Sequence, residues 1–267
     1  MALSLGHHGG EGEPLLLIHG LGRAWRDWSP VIARLAEHHD VIAVDLPGHG
    51  ASAPLPPERP MTVPNLVDAV ETTLDDLGLG TAHIAGSSLG GWIALELARR
   101  RRARTVVCIS PGGLGTQREN RRTRRLTNFL RRGAPVFLPL AGPLSTTALG
   151  RRLLCGVTAA RPGNVAAQEA VAATEAFARA VRVEEMMDWF VPNAAERLDE
   201  VDCPVTIAWG TKDKVLPSRQ AGRFQRHIPH AEIRLLKGLG HVPMSDDPAL
   251  VTDLILQRTT SLTGSAA

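Results

Sequence analysis

The sequence predicts an α/β fold, with a mostly parallel central sheet, helices on both faces and an inserted helical lid. Three observations predict it. From residue 15 onward, short aliphatic or β-branched runs alternate with longer amphipathic ones, the pattern of parallel strands joined by helical crossovers. The short runs are apolar almost throughout, as strands covered on both faces must be. One interval, Ser110 to Pro204, spans more than ninety residues, whereas the other crossovers need about twenty to forty, so a second unit is inserted there.

In chain order the predicted strands are "LLLIH" (15–19), "VIAVD" (41–45), "AHIAG" (82–86), "TVVCIS" (105–110), "PVTIAWG" (204–210) and "EIRLLK" (232–237). Helices are expected around 28–38, 63–77, 89–102, 218–227 and 247–258. The last follows "DDP", where Asp246 or Asp247 can cap it and Pro248 can take its first turn. Within the long interval, "RRLTNFLRR" (124–132), "VAAQEAVAATEAFARAV" (165–181) and "VEEMMDWF" (183–190) carry helical periodicity. "APVFLPLAGPL" (134–144), broken by Pro135, Pro139 and Pro143, reads as a loop. The expected organisation is a core of residues 1–114 and 200–267 with a helical cap over 115–199. Four of the five phenylalanines, Phe129, Phe137, Phe177 and Phe190, fall in that cap, either filling its own small core or lining a substrate pocket.

Composition narrows the classes. With 267 residues, 43% of them hydrophobic, the chain can bury a full-sized core. No stretch reaches the roughly 18 to 20 uninterrupted apolar residues of a membrane span. The start, "MALSLGHHGGEGEP", shows no basic region followed by an apolar one, so the expected compartment is the cytoplasm. Cys108, Cys155 and Cys203 are odd in number and widely spaced, which suits buried thiols. The pairs His7-His8 and His38-His39 lack partners at metal-ligand spacing and read as solvated loop residues. Between residues 116 and 161 there are ten arginines against one acid, Glu119. Without tyrosine or interleaved stacking aromatics this reads as a solvated basic face, and no nucleic-acid partner is expected.

The chemistry concentrates in "GSSLGG" (86–91). The frame Gly86-x-Ser88-x-Gly90 falls where a strand turns sharply into a helix, and it selects Ser88 over Ser87. The helix start would aim backbone N–H groups, beginning with that of Leu89, at an oxyanion beside Ser88. A serine hydroxyl needs a base, and the base an orienting group. Asp213 in "WGTKDKVLP" and His241 in "GLGHVPM" follow the last two strands. All three residues therefore lie at the C-terminal ends of parallel strands, where open α/β sheets place their sites.

With "HGLG" (19–22), "DLPGHGAS" (45–52), "GSSLGG", "WGTKDKVLP" and "GLGHVPM" in this order, the sequence resembles the α/β-hydrolase superfamily, in its serine-nucleophile, esterase-like branch with a helical lid. The resemblance covers residues 15 to 258. It implies Ser88 as nucleophile, His241 as general base and acid, Asp213 as the residue that orients the imidazole, and the N–H groups of Leu21 and Leu89 as the oxyanion hole. His19 and Asp45 would anchor loops, Gly48 and Gly50 would permit a tight course beneath the site, and neither His19 nor His49 is the base. Of the usual pair of N-terminal antiparallel strands, only "ALSL" (2–5) is available to supply one.

Haloalkane dehalogenases and epoxide hydrolases of this superfamily use an aspartate where this chain has Ser88. The epoxide enzymes also use lid tyrosines, and the chain contains none. Ester or lactone hydrolysis therefore ranks first, carbon–carbon hydrolysis of the meta-cleavage-product type second, and a non-catalytic small-molecule receptor is the reading from another class. Trp25, Trp92, Met187 and Phe190, with Trp28 and Met186, are candidates for the pocket wall, the alternative being a packed core. A small-molecule substrate is expected and no metal or organic cofactor is implied; self-association is left open by the sequence.

Overall fold

The computed structural model describes residues 2–260. Among these residues the sheet has seven strands, β1 (Leu5–Gly9), β2 (Glu13–Ile18), β3 (His39–Val44), β4 (Ala82–Ser87), β5 (Ala103–Ile109), β6 (Val205–Gly210) and β7 (Glu232–Leu236). Their spatial order is β1-β3-β2-β4-β5-β6-β7, with β1 antiparallel to β3 and every other pair parallel.

Six strands lie where the apolar runs predict them. The N-terminal strand starts at Leu5, where the sequence reading ends it. Leu5 pairs with Val44 and Gly9 with Val41, so His7 and His8 belong to a sheet edge and not to a loop. His39 also departs from its expected solvated position. It opens β3, is buried, and bonds the Glu13 carbonyl at 3.1 Å and the Thr259 hydroxyl at 2.8 Å. Two polar partners compensate its burial.

Successive side chains of a strand point to opposite faces, and the interior is partitioned accordingly. Leu16 and Ile18 of β2, Ile42 and Val44 of β3, and Val106 and Cys108 of β5 pack on one face, against α2 (Val63–Asp76), α3 (Leu89–Arg99) and α9 (Ala221–His227). Leu15, Leu17, Val41, Ala43, Val107 and Ile109 pack on the other, against α1 (Ser29–Leu35) and α11 (Pro248–Thr260). This is why the strands read as continuous apolar runs and not as alternating ones. All three cysteines are free and buried.

Between β5 and β6 the chain forms α4 (Gln117–Phe137), α5 (Ala141–Ser145), α6 (Ala148–Cys155), α7 (Ala167–Arg179) and α8 (Val183–Phe190). The segment expected as a loop is therefore largely helical. Pro135 lies in the last turn of α4, Pro139 in the first turn of a 3-10 stretch (Leu138–Leu140) and Pro143 in the short α5. Proline near a helix start removes an N–H that has no intrahelical partner, which accommodates Pro139 and Pro143, whereas Pro135 forfeits one intrahelical bond close to where α4 ends, so the segment is divided into short helices without losing them. A short helix after β7, α10 (Pro243–Asp246), precedes α11.

α4 begins with a reciprocal cap. The Thr116 hydroxyl accepts from Glu119 N at 3.3 Å and the Glu119 carboxylate accepts from Thr116 N at 2.9 Å. The same carboxylate accepts from Arg219 Nε at 2.7 Å and Arg223 Nη1 at 2.6 Å, which ties the start of α4 to the chain around α9. Burial raises the Glu119 pKa, but the bonds from Arg223, the Thr116 backbone and Arg219 outweigh it and hold the carboxyl at about 2. A carboxyl lowered on folding stabilises fully above its unfolded value, and that contribution is lost as the pH falls through the folded one. Glu119→Gln is expected to cost about 2 kcal/mol in urea unfolding at neutral pH. The gap to wild type should close between the ordinary value of 4.5 and about 2; a gap that stays constant over that range would contradict the assignment.

Candidate active site

β4 ends at Ser87 and α3 starts at Leu89, so one residue makes the turn. That residue, Ser88, has φ 55° and ψ −112°, a conformation that costs a non-glycine residue about 1–3 kcal/mol and persists only when its surroundings impose it. The imposing bonds are visible. Ser88 N donates to Ile109 O at 2.9 Å, and Ser88 O accepts from Gly112 N at 2.9 Å and Gly91 N at 3.1 Å. Strand and helix approach so closely that a Cβ on Gly86 would lie 2.2 Å from Gly90 O, and one on Gly90 would lie 2.2 Å from Ile18 O. Ser87 also borders the cavity beside Ser88, but it is a strand residue only 2% exposed.

Asp213 follows β6 by three residues. Its Oδ1 accepts from Val215 N and Leu216 N, both at 2.8 Å, which fixes the carboxylate. Its Oδ2 lies 2.7 Å from His241 Nδ1, and the two side chains are 0% and 7% exposed. With Nδ1 donating to Asp213, Nε2 is left as the acceptor. His241 and Ser88 line the same cavity of about 520 Å³. Among the described residues no other side chain takes the Ser88 hydroxyl or His241 Nε2, so both remain available at its wall.

The cavity's floor includes Gly20, Leu21, Ser88 and Leu89, and its walls include Phe129, Phe137, Phe177, Met186, Met187 and Phe190. All four phenylalanines of the inserted segment therefore face it. Among the described residues, no backbone acceptor takes the N–H of Leu21 or of Leu89. Three expected wall residues lie elsewhere. Trp92, four residues along α3 from Ser88, is buried behind the wall, its ring 5.6 Å from that of Phe190. Trp25 stands over Gly6 of β1 with the Arg26 guanidinium 4.9 Å from its ring. Trp28 is buried in the layer of α1 and α11.

The loop that carries Gly20 and Leu21 is held from beneath. His19 Nδ1 bonds Gly20 O at 2.7 Å, and Nε2 accepts from Leu46 N at 2.9 Å. Asp45 accepts from Trp25 N and Ala51 N, each at 2.9 Å. Gly48 and Gly50 both have positive φ, 75° and 53°. Burial pushes His19 down to about 4 and His49 to about 3, so both imidazoles are neutral under ordinary conditions.

The alpha/beta hydrolase family model matches residues 15–254 of this sequence. The chain belongs to the alpha/beta hydrolase family. An uncharacterized protein of Mycobacterium tuberculosis is 31% identical over 268 residues, a match covering 92% of this hydrolase and 75% of the relative. Epoxide hydrolase EphH of the same organism is 34% identical over 200 residues, covering 71% of this chain and 91% of its own. Among solved structures, a putative lipase from Acinetobacter baumannii superimposes with a TM-score of 0.73 at 24% identity, over 95% of this chain and 87% of the other. What this hydrolase shares with that structure is the fold.

Two features of the hydrolase site escape sequence reasoning. Arg23, at the cavity edge, gives Nε and Nη2 to the two oxygens of Asp27 at 2.7 Å each. The spacing of four residues is a signal, but nothing in it marks the pair as buried. Asp246, a candidate helix cap by sequence, instead braces the histidine loop. Its carboxylate accepts from Gly240 N at 2.7 Å, Ala160 N at 3.0 Å and Arg161 N at 2.7 Å. It thus joins the loop bearing His241 to the inserted segment, while Asp247 caps α11 by accepting from Leu250 N at 3.1 Å. Asp246→Ala leaves three amides without that acceptor and is expected to cost about 2–3 kcal/mol in stability, with faster hydrogen exchange at Gly240 than at strand β4. Unchanged exchange there would remove Asp246 from the support of the histidine loop. Gly90→Ala pushes a methyl group into Ile18 O and should lower Tm by more than about 4 °C, in a thermal melt against Gly222→Ala, where the added Cβ meets open space.

Proposed function

We propose that this hydrolase cleaves carboxylic esters or lactones of small, largely apolar substrates through an acyl-enzyme on Ser88. One observation carries the reading: Ser88, raised on a strained turn, borders the same cavity as an imidazole whose far nitrogen is held by Asp213 at 2.7 Å. In this mechanism His241 Nε2 takes the Ser88 proton as the hydroxyl attacks the ester carbonyl. The Leu21 and Leu89 amides receive the developing oxyanion, and Asp213 stabilises the imidazolium. His241 returns the proton to the leaving alcohol, then activates the water that releases the acid and regenerates Ser88.

Residues 115–199 serve in this reading as a cap whose phenylalanines and methionines select apolar groups. The Arg23–Asp27 pair adds no net charge to the cavity, because each group neutralises the other, which favours uncharged substrates. The relative named an epoxide hydrolase does not redirect the proposal. The nucleophile position holds Ser88, whose ester is hydrolysed with the help of the same histidine, and the chain has no tyrosine to protonate an alkoxide. Carbon–carbon hydrolysis is the second reading, favoured by Arg132 on the cavity lining and disfavoured by Val242 directly after His241.

A fluorophosphonate should add one label per chain, detected by intact mass. The label is expected to be lost in Ser88→Ala and kept in Ser87→Ala. A series of p-nitrophenyl esters should then be turned over faster than a vinylogous diketone. His241→Ala should lower kcat on the order of 10⁴-fold. Tight ligand binding without labelling in the folded protein would displace the enzyme reading in favour of a receptor.

A further inference from the structure

α4 carries Arg118, Arg122, Arg125, Phe129, Arg132 and Val136 at intervals of four, three, four, three and four residues. At about 100° per residue these six stay within roughly 40° of one line along the helix. All six are exposed. Arg124 and Arg131, off that line, have acidic partners in Asp188 and Glu184. Arg118, Arg122, Arg125 and Arg132 meet no acidic group among the described residues.

A merely solvated basic face would carry polar residues between its arginines. Here the same line holds Phe129, 75% exposed, and Val136, 64% exposed. Exposed apolar side chains continue beyond it in Phe137, Leu140, Leu149 and Leu153. Phe129, Phe137 and Leu153 are at once exposed and part of the cavity lining, so they form its mouth. Aliphatic and aromatic side chains beside unpaired arginines fit the boundary between lipid headgroups and acyl chains, where arginine stems lie along hydrocarbon while their heads meet phosphate. Nucleic acid would match the charge but leave Val136, Leu140 and Leu149 in water, and an acidic protein seated here would close the mouth. Among the described residues no helix is long and apolar enough to cross a membrane, so such contact is peripheral.

We propose that the outer line of α4 and the apolar rim beside it dock on an anionic lipid surface, setting the mouth of the cavity against the headgroups. The proposal does not depend on the chemistry at Ser88, and its test reads binding, not hydrolysis. The full chain is sedimented with vesicles of phosphatidylglycerol and phosphatidylcholine, and with phosphatidylcholine alone, at low and high salt. Two triple variants are compared, Arg118→Gln/Arg122→Gln/Arg125→Gln and Val136→Ser/Leu140→Ser/Leu149→Ser, all at exposed positions outside the cavity lining. Each arginine near such a surface contributes roughly fivefold, so the arginine triple should lower the partition coefficient on the order of a hundredfold at low salt. High salt should weaken wild type in the same direction, the serine triple should also bind less, and both variants should melt like wild type. Equal binding to uncharged vesicles, no vesicle binding, or an unaffected arginine triple would each overturn the proposal. A serine triple that binds like wild type would remove the apolar rim from it. Retention on duplex DNA without vesicle binding would assign the arginines to nucleic acid instead.

Discussion

The closeness of β4 to α3 governs the rest of the site. Because neither Gly86 nor Gly90 carries a Cβ, the helix can begin directly above the sheet end, leaving a single residue to reverse the chain. Ser88 absorbs the reversal with a φ of 55°. The same contact sets the neighbouring strand: Gly90 lies against the carbonyls of Ile18 and His19, and from there the chain runs into Gly20 and Leu21. One packing constraint therefore orients the Ser88 side chain, exposes the Leu89 amide and positions the loop that supplies the Leu21 amide.

The polar groups around the cavity are held by backbone and by one another, not by solvent. Asp213 is fixed by two amides before it meets His241, and His19 is engaged by Gly20 and Leu46. Arg23 is engaged by Asp27. In a low-dielectric setting such full satisfaction makes a network rigid, whereas a half-satisfied one would be a source of disorder. The groups left unengaged at the wall include the Ser88 hydroxyl, one imidazole nitrogen and the amides of Leu21 and Leu89. Around them the large apolar side chains of the lining are phenylalanine, leucine and methionine, contributed from the β5–β6 connection and the strand ends.

Local and periodic signals make most of the fold legible in the sequence. Strands covered on both faces announce themselves as apolar runs, and the spacing of Gly86, Ser88 and Gly90 encodes a turn whose stereochemistry is local. The positions of Asp213 and His241 are readable because each follows a strand directly. What is illegible depends on distant partners. Asp246 and Asp247 are indistinguishable in sequence, and only the approach of Ala160 and Arg161 gives the first a different role from the second. Trp92 and Phe190 are both large and both candidates for the wall, yet Phe190 comes between Trp92 and the cavity. His39 reads as solvated because its pairing with His38 hides the start of β3. Prolines in the inserted segment suggest a loop, yet their position within a helix turn matters more than their presence.

Among the groups that fasten the inserted segment to the remainder are two carboxylates of opposite origin. Glu119, inside it, grips Arg219 and Arg223 of the core, while Asp246 of the core grips the amides of Ala160 and Arg161 inside it. Glu119, Arg219, Arg223 and Asp246 thus form a transferable attachment set. A chimera that exchanges the segment for another at cut sites in β5 and β6 carries Glu119 away but leaves Arg219, Arg223 and Asp246 behind, two guanidinium groups without their carboxylate and one buried carboxylate that keeps only the Gly240 amide. Recombination between relatives of this chain would therefore respect the attachment set more strictly than it respects the continuity of the segment itself.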